Sequence, residues 1–100
     1  MSGRYMPEVV PAHPDTAGIV SDSPYLTYQD MTPAGKATAV VEVIAVRNGA
    51  LLGTISWFGR WRKYAFHAEP YCWFDPGCLE EIAINLTRMT EAWRERKKRS

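Results

Sequence analysis

His67 and Cys72 stand five positions apart in "HAEPYC", and an imidazole beside a thiol is the pair from which an activated cysteine nucleophile is built. Nearness along the chain does not bring the two groups into hydrogen-bond reach, and His13 lies far upstream in a different texture of sequence. A metal site would have to recruit His67 and His13 with Cys72 and Cys78. The two cysteines flank "WFDPG" at a spacing of six, wider than the C-x₂₋₄-C pairs of structural zinc sites, so no metal and no cofactor are expected. Glycine-rich phosphate loops, H-E-x-x-H and G-x-S-x-G are all missing, and "RNGALLG" has the texture of a hairpin turn. Composition and motifs therefore point away from an enzyme.

The remaining chemistry is recognition. Residues 54–74, "TISWFGRWRKYAFHAEPYCWF", interleave Trp, Phe and Tyr with Arg, Lys and His, the side chains that anchor interfaces. With 100 residues, 46% hydrophobic and 12% aromatic, the chain has material for one small core. Net charge is only +1, but it is unevenly placed. Residues 1–46 carry two basic groups against five acidic ones, and residues 47–100 carry ten against six, ending in Arg96, Lys97, Lys98 and Arg99. That basic tail complements a helix C-terminus and is also a candidate contact for an anionic partner. The opening "MSGRYMPEVVPAHP" has no apolar core of a secretory signal, and no run approaches the ~20 apolar residues that span a bilayer, so a cytoplasmic protein without membrane contact is expected. There the cysteines would stay reduced and pack as small hydrophobes.

The elements that must position these residues follow from local patterns. Residues 1–36 hold five of the seven prolines among Ser, Thr, Asp and Gly, which predicts a flexible or extended arm whose one apolar cluster is Tyr25, Leu26 and Tyr28. Residues 37–100 are expected to form the folded domain. "TAVVEVIAV" (38–46) is a β-branched strand, Asn48-Gly49 suits a two-residue type I′ turn, and a second strand spans about 51–58. Gly59-Arg60 suits a type II′ turn into a third strand, 61–67. Asp75 as N-cap, Pro76 in the first helical position and a Phe74–Leu79 staple start an amphipathic helix of about 20 residues, with Leu79, Ile82, Ala83, Leu86, Met89, Thr90 and Trp93 as its stripe. The expected fold is α+β, a three-stranded antiparallel meander packed on one C-terminal helix and preceded by the arm.

Two-residue turns sort the strand residues by parity. One face would carry Val40, Glu42, Ile44 and Val46, then Leu51, Gly53, Ile55 and Trp57, then Arg62, Tyr64 and Phe66; its bulk assigns the helix to it. There Phe66 would cover the vacancy at Gly53, and Glu42 would come within reach of Arg62. The other face would carry Ala39, Val41, Val43 and Ala45, with Phe58, Trp61, Lys63 and His67 at its far edge and Arg60 at the turn tip. Either the arm closes this second face, or Phe58, Arg60, Trp61, Lys63 and His67 are open to a partner.

The string Trp57-Phe58-x-Arg60-Trp61-Arg62-x-Tyr64-x-Phe66, followed by Asp75, Cys78, Leu79 and Ile82, resembles small proteins of actinobacterial bacteriophages and prophages. That resemblance spans about residues 50–90 and implies an accessory role in the host cytoplasm, with a host or phage protein as partner, a defence protein included. A sheet backed by one helix is also similar in plan to the ethylene-response-factor DNA-binding domains and the arm-binding domains of tyrosine recombinases, so a sheet-face DNA-binding regulator or recombination accessory is the alternative. A homodimer through the Ala/Val edge is compatible with either.

Overall fold

In the computed structural model, which describes residues 12–99, the prolines of the N-terminal third do not keep it out of the fold. A single 3₁₀ turn, Pro14–Thr16, is followed by four strands, β1 (Leu26–Asp30), β2 (Val40–Ala45), β3 (Leu51–Phe58) and β4 (Lys63–Ala68), and by one helix, α1 (Pro76–Arg99). The strands form one antiparallel sheet in the order β1-β2-β3-β4. The α+β class and the C-terminal helix are as expected; the sheet has four strands where three were expected. The extra strand is "LTYQD", which alternates apolar and polar and pairs Tyr28 with Val43 and Gln29 with Glu42. It lies in the segment read as an arm, residues 1–11 of which fall outside the described residues.

Both turns are longer than two residues, with different consequences. At the first, Gly49 takes φ +72° while Asn48 keeps a negative φ and accepts a 3.0 Å bond from the Ala50 amide through its side chain. The chain also bulges: Ile44 pairs with Leu51 but Val43 pairs with Gly53, so Leu52 has no partner in the ladder. The resulting register differs by one residue from that of a type I′ hairpin, and a one-residue slip exchanges the faces of a strand. Val41 and Val43 therefore point into the core and Glu42 points out of it. Burying two valines while hydrating a carboxylate outweighs the preference of the Asn-Gly turn. Glu42 and Arg62, expected to approach one another, are separated by this inversion.

The second loop holds four residues, 59–62, because Trp57 pairs with Tyr64 and Phe58 with Lys63. The Trp61 and Arg62 amides both donate to the Phe58 carbonyl, and Arg62, not Gly59, adopts the positive φ, +54°. Lengthening a two-residue turn by two preserves parity, so Trp57, Tyr64 and Phe66 face α1 as the pattern predicts. Phe66 does fill the space a side chain at Gly53 would take, and its edge meets Phe74 at 5.5 Å. The core consists of Leu26, Val41, Val43, Ile55, Tyr64, Ile82 and Met89, all nearly or wholly buried.

Asp75 caps α1 by accepting from the Cys78 amide at 2.8 Å, a bond that holds its carboxyl below the ordinary range. The buried stripe of α1 is rotated from the expected one. Leu79 and Ala83 are exposed, and Glu81 and Asn85 are buried. Phe74 packs on Phe66 at the entry to the helix, while Leu79, its expected staple partner, is half exposed. The rotation has a cause: residues 13–28 run along this flank and use its polar side chains as partners for their own backbone. Asn85 accepts from the Val20 amide at 2.7 Å and donates to the Val20 carbonyl at 2.8 Å. Glu81 accepts from the Ser23 amide and the Tyr28 hydroxyl, each at 2.7 Å, and Arg88 donates to the Gly18 carbonyl. All but the Tyr28 bond satisfy a backbone group that docking would otherwise strip of water.

At the end of this seam Asp15, 1% exposed, receives Arg96 through two bonds of 2.8 and 2.9 Å and the Tyr64 hydroxyl through a third. Tyr64 in turn accepts from the Ala39 amide at 2.9 Å, and its own amide donates to the Thr90 hydroxyl at 3.0 Å. Burial first, and the neighbouring Asp15 carboxylate after it, push the Tyr64 phenol well above its ordinary range; burial and Glu81 do the same to Tyr28.

Two outcomes follow. Arg96→Ala strands a buried carboxylate, and chemical denaturation should show a loss of about 3 kcal/mol, at the low end for a stripped buried charge because the guanidinium is partly hydrated. A phenol with a raised folded pKa contributes stability that is complete below the unfolded value near pH 10 and is lost as pH rises past it; melts between pH 9 and about 12 should show a decline of up to about 1.4 kcal/mol per pH unit for each such group, and Tyr64→Phe should flatten it.

Candidate functional site

The seam along α1 decides which surface remains open. The segment before β1 makes its polar contacts with the flank of α1, through Asp15, Gly18, Val20 and Ser23, on the side of the sheet that faces the helix; the other face is the one turned away from α1. That face is built from Thr27 and Gln29 on β1, Val40, Glu42 and Ile44 on β2, Thr54, Ser56 and Phe58 on β3, and Lys63, Ala65 and His67 on β4. Cross-strand pairing brings Thr54 beside His67, Ser56 beside Ala65 and Phe58 beside Lys63. None of these side chains is fully buried.

Of the five residues assigned to the open face, Phe58, Lys63 and His67 project from strands and Arg60 and Trp61 lie in the four-residue loop; all five are exposed. Phe58 and Trp61 meet edge to face at 4.5 Å, and they remain 40% and 61% exposed. The pair is anchored by the loop's own backbone bonds to the Phe58 carbonyl, so its geometry costs little to hold in place. In sequence Arg60 lies between the two rings and Lys63 follows two positions after Trp61, while His67 stands further along β4 beside Thr54. The small aliphatics expected on this face, Val41 and Val43, belong to the core instead.

The basic tail does not act as one group. Arg96 is committed to Asp15, which raises its pKa further through that hydrogen bond. Lys97 sits over the Trp93 ring, 5.7 Å from its centre, and Trp93 stacks at a tilt on Trp57, 4.4 Å away. Lys98 and Arg99 are exposed. Lys97 and Lys98 line a groove with Arg62, Trp93 and Arg94, so two residues not singled out by the sequence, Arg62 and Arg94, join the cationic end. Arg62 was assigned to the core face by a turn two residues too short. Arg94 offers a signal that could have found it: it is one helical turn before Lys98.

At the opposite end of the molecule, Tyr71 and Trp73 are 98% and 94% exposed, and Tyr71 holds a positive φ of +64°. The Cys72 thiol there lies 4.0 Å from the Leu51 carbonyl, while Cys78 is on α1, its thiol pushed up by burial and by Asp75. Both cysteines are free and partly buried. Among the described residues no group of three or more His, Cys, Asp or Glu is placed to hold a metal, and no helix is long and apolar enough to cross a membrane.

A four-stranded meander on one helix, with an exposed aromatic pair at a hairpin tip, defines a small single-sheet domain that offers a surface more than a cavity. A protein of Acholeplasma phage L2, described as an uncharacterized 9.3 kDa protein, is 33% identical to the chain over 72 residues, which cover 72% of this chain and 92% of that protein. The chain belongs to the family of this small phage protein. No protein-family profile matches it, and no solved structure does.

Proposed function

We propose that the protein is a non-enzymatic phage accessory module that docks a protein in the host cytoplasm through the outer face of its sheet. The observation that supports this most directly is the Phe58–Trp61 pair, a rigid aromatic contact left exposed beside Arg60 and Lys63 on the face turned away from α1. Aromatic and Arg side chains of this kind carry most of the energy of protein interfaces. Short Thr, Ser, Ala and Val side chains lie along the sheet beside the aromatic tip, which suits a partner with a pocket for the indole and carboxylates opposite Arg60 and Lys63. A host or phage protein fits, whether or not it serves defence; a second copy of the chain is a further outcome of the test.

Charge counts against DNA on this same face. A polyanion lying on the sheet would meet Glu42 near its middle, and Lys63, His67 and the tip residue Arg60 supply few cations over a wide area. The sheet-face DNA reading therefore ranks second.

Trp61→Ala and Lys63→Glu should each leave the thermal melt nearly unchanged, because both side chains are exposed. Tyr64→Ala should cost roughly 3 to 5 kcal/mol as a buried aromatic truncation. Capture from nuclease-treated host lysate should retain a protein on the wild type and lose it on Trp61→Ala. Retention that Trp61→Ala and Lys63→Glu do not alter would remove the sheet face from the interface. Sedimentation of the purified chain separates self-association from a heterologous partner.

A further inference from the structure

The groove at the cationic end has a chemistry distinct from that of the sheet face. It lies between the loop after β3 and the last turns of α1 and is lined by Arg62, Trp93, Arg94, Lys97 and Lys98. Four of these five residues are cations, and every polar side-chain atom among them is a donor, since guanidinium, ammonium and indole N–H groups accept nothing. No carboxylate lines it. Glu91 contributes instead to the adjoining hollow, where it faces Lys63 and Arg94.

This sorting is not a by-product of a basic helix end. Cations in a last helical turn complement the dipole, but Arg62 belongs to a different element and is carried to the groove by a left-handed backbone that an arginine adopts at a cost. Arg96, in the same run, turns away and ties α1 to Asp15, which leaves Arg94 and Lys98 one turn apart with like charge. Trp93, held against Trp57, gives the groove a fixed floor. The like charges of Arg62, Arg94 and Lys98, gathered where the lining side chains offer only donors, repel one another less when an anion lies between them.

The fitting occupant is an extended chain of monoanions with two acceptor oxygens each. Arginine engages such groups through paired N–H bonds, and a groove whose side chains offer no acceptor has nothing to pair with the amino groups of adenine or cytosine, so the backbone is the contact that suits it at every position. We propose that this groove binds the phosphodiester backbone of nucleic acid without regard to sequence. Its surface is separate from the sheet face, so the protein has a cationic contact independent of its docking face.

The test is a fluorescence titration of the full chain with labelled oligonucleotides of random sequence, single-stranded and duplex, at about 50 and about 200 mM salt. For three phosphate contacts on duplex the affinity should fall about 40-fold across that range. Arg94→Glu with Lys98→Glu should abolish binding, with an unchanged melt as the control and the corresponding pair of Gln substitutions as a milder variant. Arg62→Gly suits the left-handed backbone and should keep the fold while reducing the salt slope by about 1. Trp61→Ala should leave the titration unchanged, which separates failure here from failure of the sheet-face reading. The proposal is overturned if neither oligonucleotide binds in a salt-sensitive way, or if the folded charge-reversal variant binds as tightly as the wild type. Equal affinity for polyglutamate would reassign the groove to an acidic protein segment, and equal affinity for phosphatidylglycerol vesicles would reassign it to a membrane surface.

Discussion

Everything in this fold is organised around a carboxylate that has no access to water. Arg96 and Tyr64 converge on Asp15 and satisfy its buried oxygens, and each of these partners anchors a different element. Arg96 fixes the end of α1, Tyr64 fixes β4 and, through Ala39, the entry to β2, and Asp15 itself fixes the segment that leads to β1. An ion pair of this kind adds little net energy over an apolar contact of the same volume. Its contribution is positional, since only one arrangement of the four elements satisfies all of its donors and acceptors.

The same constraint explains the open sheet face. The N-terminal segment could have lain over either surface of the meander. It is drawn to the helix flank by polar side chains that pair with its backbone groups, with Glu81, Asn85 and Arg88 continuing the alignment that Arg96 begins on Asp15. Among the described residues, the side chains on α1 determine where the segment before β1 goes. The exposed Phe58–Trp61 pair is thus a consequence of which helix residues are polar, as much as of the loop that carries it.

Much of this was legible in the sequence, and what was not has physical reasons. The Asp75 cap, the strands β2, β3 and β4, and the inward set Trp57, Tyr64 and Phe66 follow from local rules that tertiary contacts left alone. The facing of β2 was misread because turn chemistry was allowed to set the register, when Val-Glu-Val at 41–43 already favours the opposite parity on burial grounds. β1 was masked by flanking prolines, although Leu26, Thr27, Tyr28 and Gln29 alternate as an edge strand should. Helical periodicity could not show that Glu81 and Asn85 are interior residues or that Arg96 is half-buried against Asp15. Their burial depends on a segment some 58 to 81 positions away, and hydropathy carries no information about such a partner. For the candidate surfaces, Phe58, Trp61 and Lys63 were visible by parity, whereas the groove pairs a loop residue with helix residues and needed the true length of that loop.

The contact between Asp15 and Arg96 also bears on the time course of folding. It joins positions separated by 81 residues, while the hairpins of the meander join near neighbours in the chain. Local pairs close quickly and distant ones late, so the sheet and helix can assemble before the N-terminal segment finds its seat. During synthesis the last turn of α1 is made long after Asp15 has emerged. The first described residues of the chain must therefore wait for some of the last, and the clasp that selects the native arrangement is also the step that completes it.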